Sequence, residues 1–89
     1  MAMSEAEIQE HLKKVSGWEV VDGKLWKAFK LKDFKASLAF VNNVGELAEK
    51  ANHHPDILIQ YNRVTLSLMT HDEDGITEKD FKLASEIEK

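Results

Sequence analysis

The sequence predicts an α+β fold: three helices packed on one face of a four-stranded antiparallel sheet, in the order α-β-β-α-β-β-α. Three observations carry this expectation. Asp22-Gly23 separates two runs rich in apolar and aromatic residues, as a two-residue hairpin turn does. Phe34, Leu38, Val41, Val44, Leu47, Ala48 and Ala51 recur at helical spacing along one long stretch. Val64, Leu66 and Leu68 alternate with Thr65, Ser67 and Met69, the period of a half-buried strand. Helices and strands so ordered segregate into two layers.

Each element has its own local reason. Ser4 and Glu7 form a capping-box pair, and Ile8, Leu12 and Val15 follow at helical spacing. A helix is therefore expected from about Ser4 to Lys14, ended by Ser16-Gly17. The Asp22-Gly23 turn sets Val20 opposite Leu25 and Glu19 opposite Trp26. One face of that hairpin then carries Trp18, Val20, Leu25, Phe29 and Leu31, with Lys27 as the exception and Trp26 on the other side. Asp33 is a good N-cap for the long helix, expected to reach Lys50 or Ala51. Phe40 widens its apolar stripe, an excess that a small protein often buries against a second copy of itself. Asn52 suits a left-handed helix end, and Pro55 forbids continuation. Residues 56–60 read as extended, Tyr61-Asn62-Arg63 as a turn, and Thr77 as the cap of a last helix carrying Phe81, Ala84 and Ile87.

The totals narrow the function. Eighty-nine residues, 43% hydrophobic and 31% charged, make one domain over 1–89 with a single core. Without cysteine there is no disulfide, iron–sulfur cluster or thiolate zinc site. A net charge of −4 argues against a nucleic-acid surface. No apolar run approaches a membrane span. The acidic amino end lacks the basic and apolar regions of a signal peptide, so the expected location is cytoplasmic.

The stretch from Glu49 to Pro55 is the most informative. His53 and His54 stand where the long helix ends, and His71 directly follows the strand of the second hairpin. Imidazoles exchange protons near neutral pH. The helix C-terminus favours the charged form by a few tenths to about 2 kcal/mol, and burial opposes it, so neighbouring histidines in unlike surroundings suit one acid and one base. The same residues admit other readings. His53-His54-Pro55 is also compatible with a polar helix terminus that does no chemistry. Three histidines also match a His₃ zinc site, although no helical His pair or His-Glu motif supports one. Asp80 is accounted for as the acidic member of a capping box with Thr77, Glu49 as a solvated acid, Tyr61 as a turn aromatic and Trp18 as core. His11 is given no role. The acidic Asp72-Glu73-Asp74-Gly75 turn lacks calcium-loop spacing, and no glycine-flanked nucleophile supports a serine hydrolase.

Glu49, His53-His54-Pro55, Tyr61, His71 and Asp80, at these spacings, resemble the signature of the pterin-4a-carbinolamine dehydratases. Gly17-Trp18, Phe29-x-Leu31-x-Asp33-Phe34 and Tyr61-Asn62 extend the resemblance to nearly the whole chain. It implies the same α+β fold. It also implies dehydration of a 4a-hydroxytetrahydropterin to the quinonoid dihydropterin, in tetrahydrobiopterin recycling for aromatic amino acid hydroxylases. It implies no metal, no bound cofactor, and a homodimer or homotetramer formed through helix and sheet-edge contacts. Under it His53, His54 and His71 share the acid–base work, with His53 and His71 nearest the pterin. Glu49, Asp80, Pro55 and Trp18 then bind the substrate or position the histidines. Animal members also act as dimerisation cofactors of a homeodomain transcription factor, a role that no residue here tests. One departure is Lys79, where many members carry arginine: the charge is kept, but the planar fork is lost.

Overall fold

The computed structural model describes residues 2–88. Its elements are helix α1 (Glu5–Leu12), strands β1 (Glu19–Val21) and β2 (Lys24–Lys30), helix α2 (Phe34–Ala51), strands β3 (Asp56–Gln60) and β4 (Arg63–Leu68), and helix α3 (Glu78–Ile87). This is the expected order. The strands form one antiparallel sheet, β1-β2-β4-β3, so β4 is central although it is last in sequence. No helix among the described residues is long and apolar enough to cross a membrane.

The local signals act as their chemistry requires. Ser4 and Glu7 cap each other reciprocally at the start of α1. The Ser4 backbone N–H, and secondarily its hydroxyl, hold the Glu7 carboxyl below its usual range. A carboxyl with a depressed folded-state pKa stabilises the fold above its unfolded-state pKa, and that contribution disappears as pH falls through the folded-state value. Glu7→Gln should therefore lower stability in neutral urea titrations, with the difference from wild type vanishing at strongly acid pH.

Asp22 and Gly23 take φ of 51° and 74°, the two positive values a type I′ turn needs. Val20 pairs with Leu25 and Glu19 with Trp26, the expected register. Asp33 accepts from the Ala36 N–H. At the other end of α2, Asn52 is left-handed at φ 51°; its N–H reaches the Glu49 carbonyl, and the His53 N–H reaches that of Ala48. This pair of bonds is a Schellman closure.

The core lies between one sheet face and the helices. Leu25, Val64, Leu66 and Leu68 from the sheet meet Val44 and Ala48 of α2 and Phe81, Leu83, Ala84 and Ile87 of α3, all buried. Lys27 shares that sheet face. Its stem runs along apolar surface and its ammonium emerges beside the Phe29 ring, donating to the Ser16 carbonyl at 2.8 Å and to Glu88 at 2.7 Å.

Three details differ from the sequence reading. Helix α1 stops at Leu12, because the Lys14 and Val15 N–H groups turn back to the carbonyls three residues earlier. Val20 lies on edge strand β1 and stays 39% exposed. Phe40 is covered within the chain, its ring 4.8 Å from that of Phe29. The apolar excess of α2 belongs instead to Phe34 and Leu38, 48% and 42% exposed.

Candidate active site

The register of β3 on β4 assembles the site. Asp56 pairs with Ser67. Two positions further out, the same antiparallel run brings His54 and His53 alongside Met69 and Thr70, and His71 follows at once, opening a short 3-10 turn (His71–Glu73). The Schellman closure of α2 swings His53 and His54 out of the helix into this approach. A hollow of about 290 Å³ results, lined by Asn52, His53, His54, Met69, Thr70, His71, Asp72 and Lys79. All three imidazoles face it.

Two of the imidazoles are braced by carboxylates. His53 Nε2 lies 2.5 Å from Asp80 Oδ1, and His54 Nε2 lies 2.6 Å from Glu49 Oε2. The two braces differ in setting. The Asp80 carboxyl is wholly buried and the His53 side chain 12% exposed, whereas His54 and Glu49 stand in solvent.

Asp80 Oδ2 accepts from the Thr77 backbone N–H at 2.9 Å and from the Thr70 hydroxyl at 3.1 Å. Since the single Thr70 hydroxyl proton is committed to Asp80, the 2.7 Å contact between Thr70 Oγ1 and Thr77 Oγ1 is donated by Thr77. Thr77 Oγ1 in turn accepts from the Lys79 N–H. Every donor is thus assigned. With Asp80 ionised, His53 carries its proton on Nε2 and offers Nδ1 for further chemistry. The same logic leaves Nδ1 of His54 free. His71 is exposed, and its side chain makes no hydrogen bond among the described residues.

Asp80 therefore does two things at once. Oδ2 closes the capping box of α3, and Oδ1 holds His53. Of the other sequence-derived positions, Glu49 braces His54, and Pro55 ends the helical path beside the hollow without lining it. Trp18 is buried in the core, edge-on to Phe29, with Nε1 donating to Glu88 at 3.1 Å. It shares no wall with the imidazoles. Thr70 was not singled out in the sequence; its place directly before His71 at a strand end is the signal that could have found it. Among the described residues, no three or more His, Asp or Glu are grouped so as to hold a metal ion.

Fold and site define a class: small four-stranded α+β domains with a carboxylate-braced imidazole cluster where α2 meets the sheet. The profile of the family described as Pterin 4 alpha carbinolamine dehydratase matches residues 1–89. Two relatives carry provisional names as pterin-4-alpha-carbinolamine dehydratases. One, from Herpetosiphon aurantiacus, is 49% identical over 98% of this chain and 91% of its own; the other, from Sulfolobus acidocaldarius, is 46% identical over 100% and 98%. The crystal structure of a transcriptional coactivator/pterin dehydratase from Brucella melitensis superposes with a TM-score of 0.93 at 39% identity, covering 99% of this chain and 96% of that one. A pterin dehydratase-like RuBisCO assembly factor of the alpha-carboxysome shares the fold, with a TM-score of 0.64 at 20% identity over 79% and 81%. The chain belongs to the pterin-4a-carbinolamine dehydratase family.

Proposed function

We propose that this chain is a hydro-lyase that dehydrates a 4a-hydroxytetrahydropterin to the quinonoid dihydropterin. The observation that carries the reading is the convergence of His53, His54 and His71 on one hollow, with two of the three rings oriented by carboxylates. The reaction breaks the C4a–O bond and forms C4a=N5. The departing hydroxyl takes a proton and leaves as water, and N5 gives up its proton to a base, so no net proton is consumed. His53, through Nδ1, and His71 are the acid–base pair. His54, held by Glu49, orients or stabilises the ring, and Asp80 acts through His53 as a positioning residue. Trp18 supports the core and does not wall the pterin within one protomer. No step needs a metal or cofactor. The setting is cytoplasmic recycling of a tetrahydropterin, and the functional unit is a homodimer or homotetramer.

The test follows the decay of a 4a-hydroxytetrahydropterin with and without purified protein in the presence of a chelator. Acceleration over the spontaneous rate, unchanged by the chelator, is expected. A folded protein that leaves the decay untouched would sink the reading.

A second reading, an association module of the same fold without turnover, is favoured by the exposed Phe34 and Leu38 on α2. It stands if carbinolamine decay is unaffected while Leu38→Asp changes the assembly state in sedimentation.

A further inference from the structure

We propose that a lysine-rimmed groove beside the imidazole hollow binds an anionic substituent on the substrate pterin, a carboxylate or phosphate at the far end of the C6 side chain, which leaves the ring next to N5 and extends away from it. This rests on the dehydratase reading and specifies which of its substrates this chain takes.

The groove runs between the last turn of α2 and the length of α3, with a volume of about 580 Å³. Leu47 and Leu83 give it an apolar floor; Lys50, Lys79 and Lys82 stand along it, and among the described lining residues Glu86 is the one acid. It shares Asn52, His53 and Lys79 with the hollow. A ring seated against the imidazoles thus has a continuous path for its substituent, and that path ends among ammonium groups. Among the described lining residues, three cations against one anion is a local excess opposite in sign to the chain's net charge of −4.

Helix stability does not account for all three lysines. Lys50 lies in the last turn of α2, where the dipole favours a cation. Lys79 lies in the first turn of α3, where the dipole disfavours one. Among the described residues no ion pair engages the side chain of Lys50, Lys79 or Lys82. Glu73 and Glu78 lie with Lys79 along a separate depression on its other side, so Lys50 and Lys82 carry most of the discrimination.

The experiment compares 4a-hydroxytetrahydropterins bearing neutral alkyl, carboxylate and phosphate side chains, with wild type and with the Lys50→Gln/Lys82→Gln double variant. Both lysines are exposed, and circular dichroism checks that the variant is folded. Wild type should show a kcat/KM roughly tenfold higher for an anionic substrate than for the neutral one, as two exposed charge contacts allow. The advantage should shrink as ionic strength rises, and the double variant should lose it while still turning over the neutral substrate. Carboxylate and phosphate arms show which anion the groove takes. Equal kcat/KM for neutral and anionic substrates in wild type, or a preference that survives the double variant, overturns the proposal. Should no substrate be turned over, the dehydratase reading fails separately. The groove is then judged by fluorescence titration with oxidised pterins carrying the same side chains: tighter anionic binding, lost in the double variant, supports it, and equal or absent binding overturns it.

Discussion

Asp80→Asn should cost about 10²–10⁴-fold in turnover while leaving the protein folded. The reason lies in which atoms can donate. On the Oδ2 side, the Thr77 backbone N–H points at the carboxylate and can only donate, and the Thr70 hydroxyl donates there as well. An asparagine must therefore place its carbonyl oxygen on that side. Its NH₂ then faces His53 Nε2, which has to accept and so moves the ring proton to Nδ1. The nitrogen that served the hollow as acceptor becomes a donor, and His53 can no longer begin its half of the proton exchange. The Thr77 N–H and the Thr70 hydroxyl keep an acceptor, now a neutral one, and one amide proton meets His53, so the stability loss should stay at about 1–3 kcal/mol. Three measurements check this: steady-state turnover, imidazole ¹⁵N chemical shifts to report the tautomer, and thermal unfolding. A folded Asp80→Asn protein with wild-type turnover would remove Asp80 from the mechanism.

That double use of one carboxylate also marks where sequence reading stops. The spacing of Thr77 and Asp80 is local, so the capping box is visible in one dimension, and it forms. The contact of Oδ1 with His53 depends on how α3 docks against the end of α2, which no local pattern encodes. The strands show the same division. Asp22-Gly23 fixes turn type and register together, because both central residues need positive φ and only one register closes such a turn. Tyr61 also takes positive φ, at 53°, in the turn between β3 and β4. Nothing in a tyrosine announces this; the Ser37 hydroxyl, buried on α2, binds its carbonyl at 2.8 Å and holds the turn from a distant element. Phe40 and Lys27 belong to the same group. A helical stripe shows that Phe40 is apolar but not that Phe29 covers it. Strand alternation flags Lys27 as an exception but not the backbone carbonyl and glutamate that receive its ammonium. In the site, the chain order supplied the three histidines as candidates, whereas their approach follows from β4 pairing with β3 beyond Pro55.

His71→Ala should lower turnover by about 10²–10⁴-fold with almost no change in stability, whereas His53→Ala should lower both. His71 is exposed, and its side chain holds nothing in place among the described residues, so truncation should stay within about 0.5 kcal/mol. His53 donates to a carboxylate that is 0% exposed. Removing its ring leaves Asp80 Oδ1 buried without its donor, at a cost of about 1–3 kcal/mol. Thermal unfolding beside turnover separates the two cases, since a merely structural histidine would move stability and activity together. The double variant then tests whether the rings act on one transition state. If proton donation to the leaving hydroxyl and proton removal from N5 are concerted, losing either ring already forfeits the shared advantage, and the double variant should be little slower than the worse single one. Independent contributions would multiply instead. A His71→Ala protein at wild-type rate would leave His53 and His54 to handle both protons, and the hollow would then need only the wall formed where α2 ends.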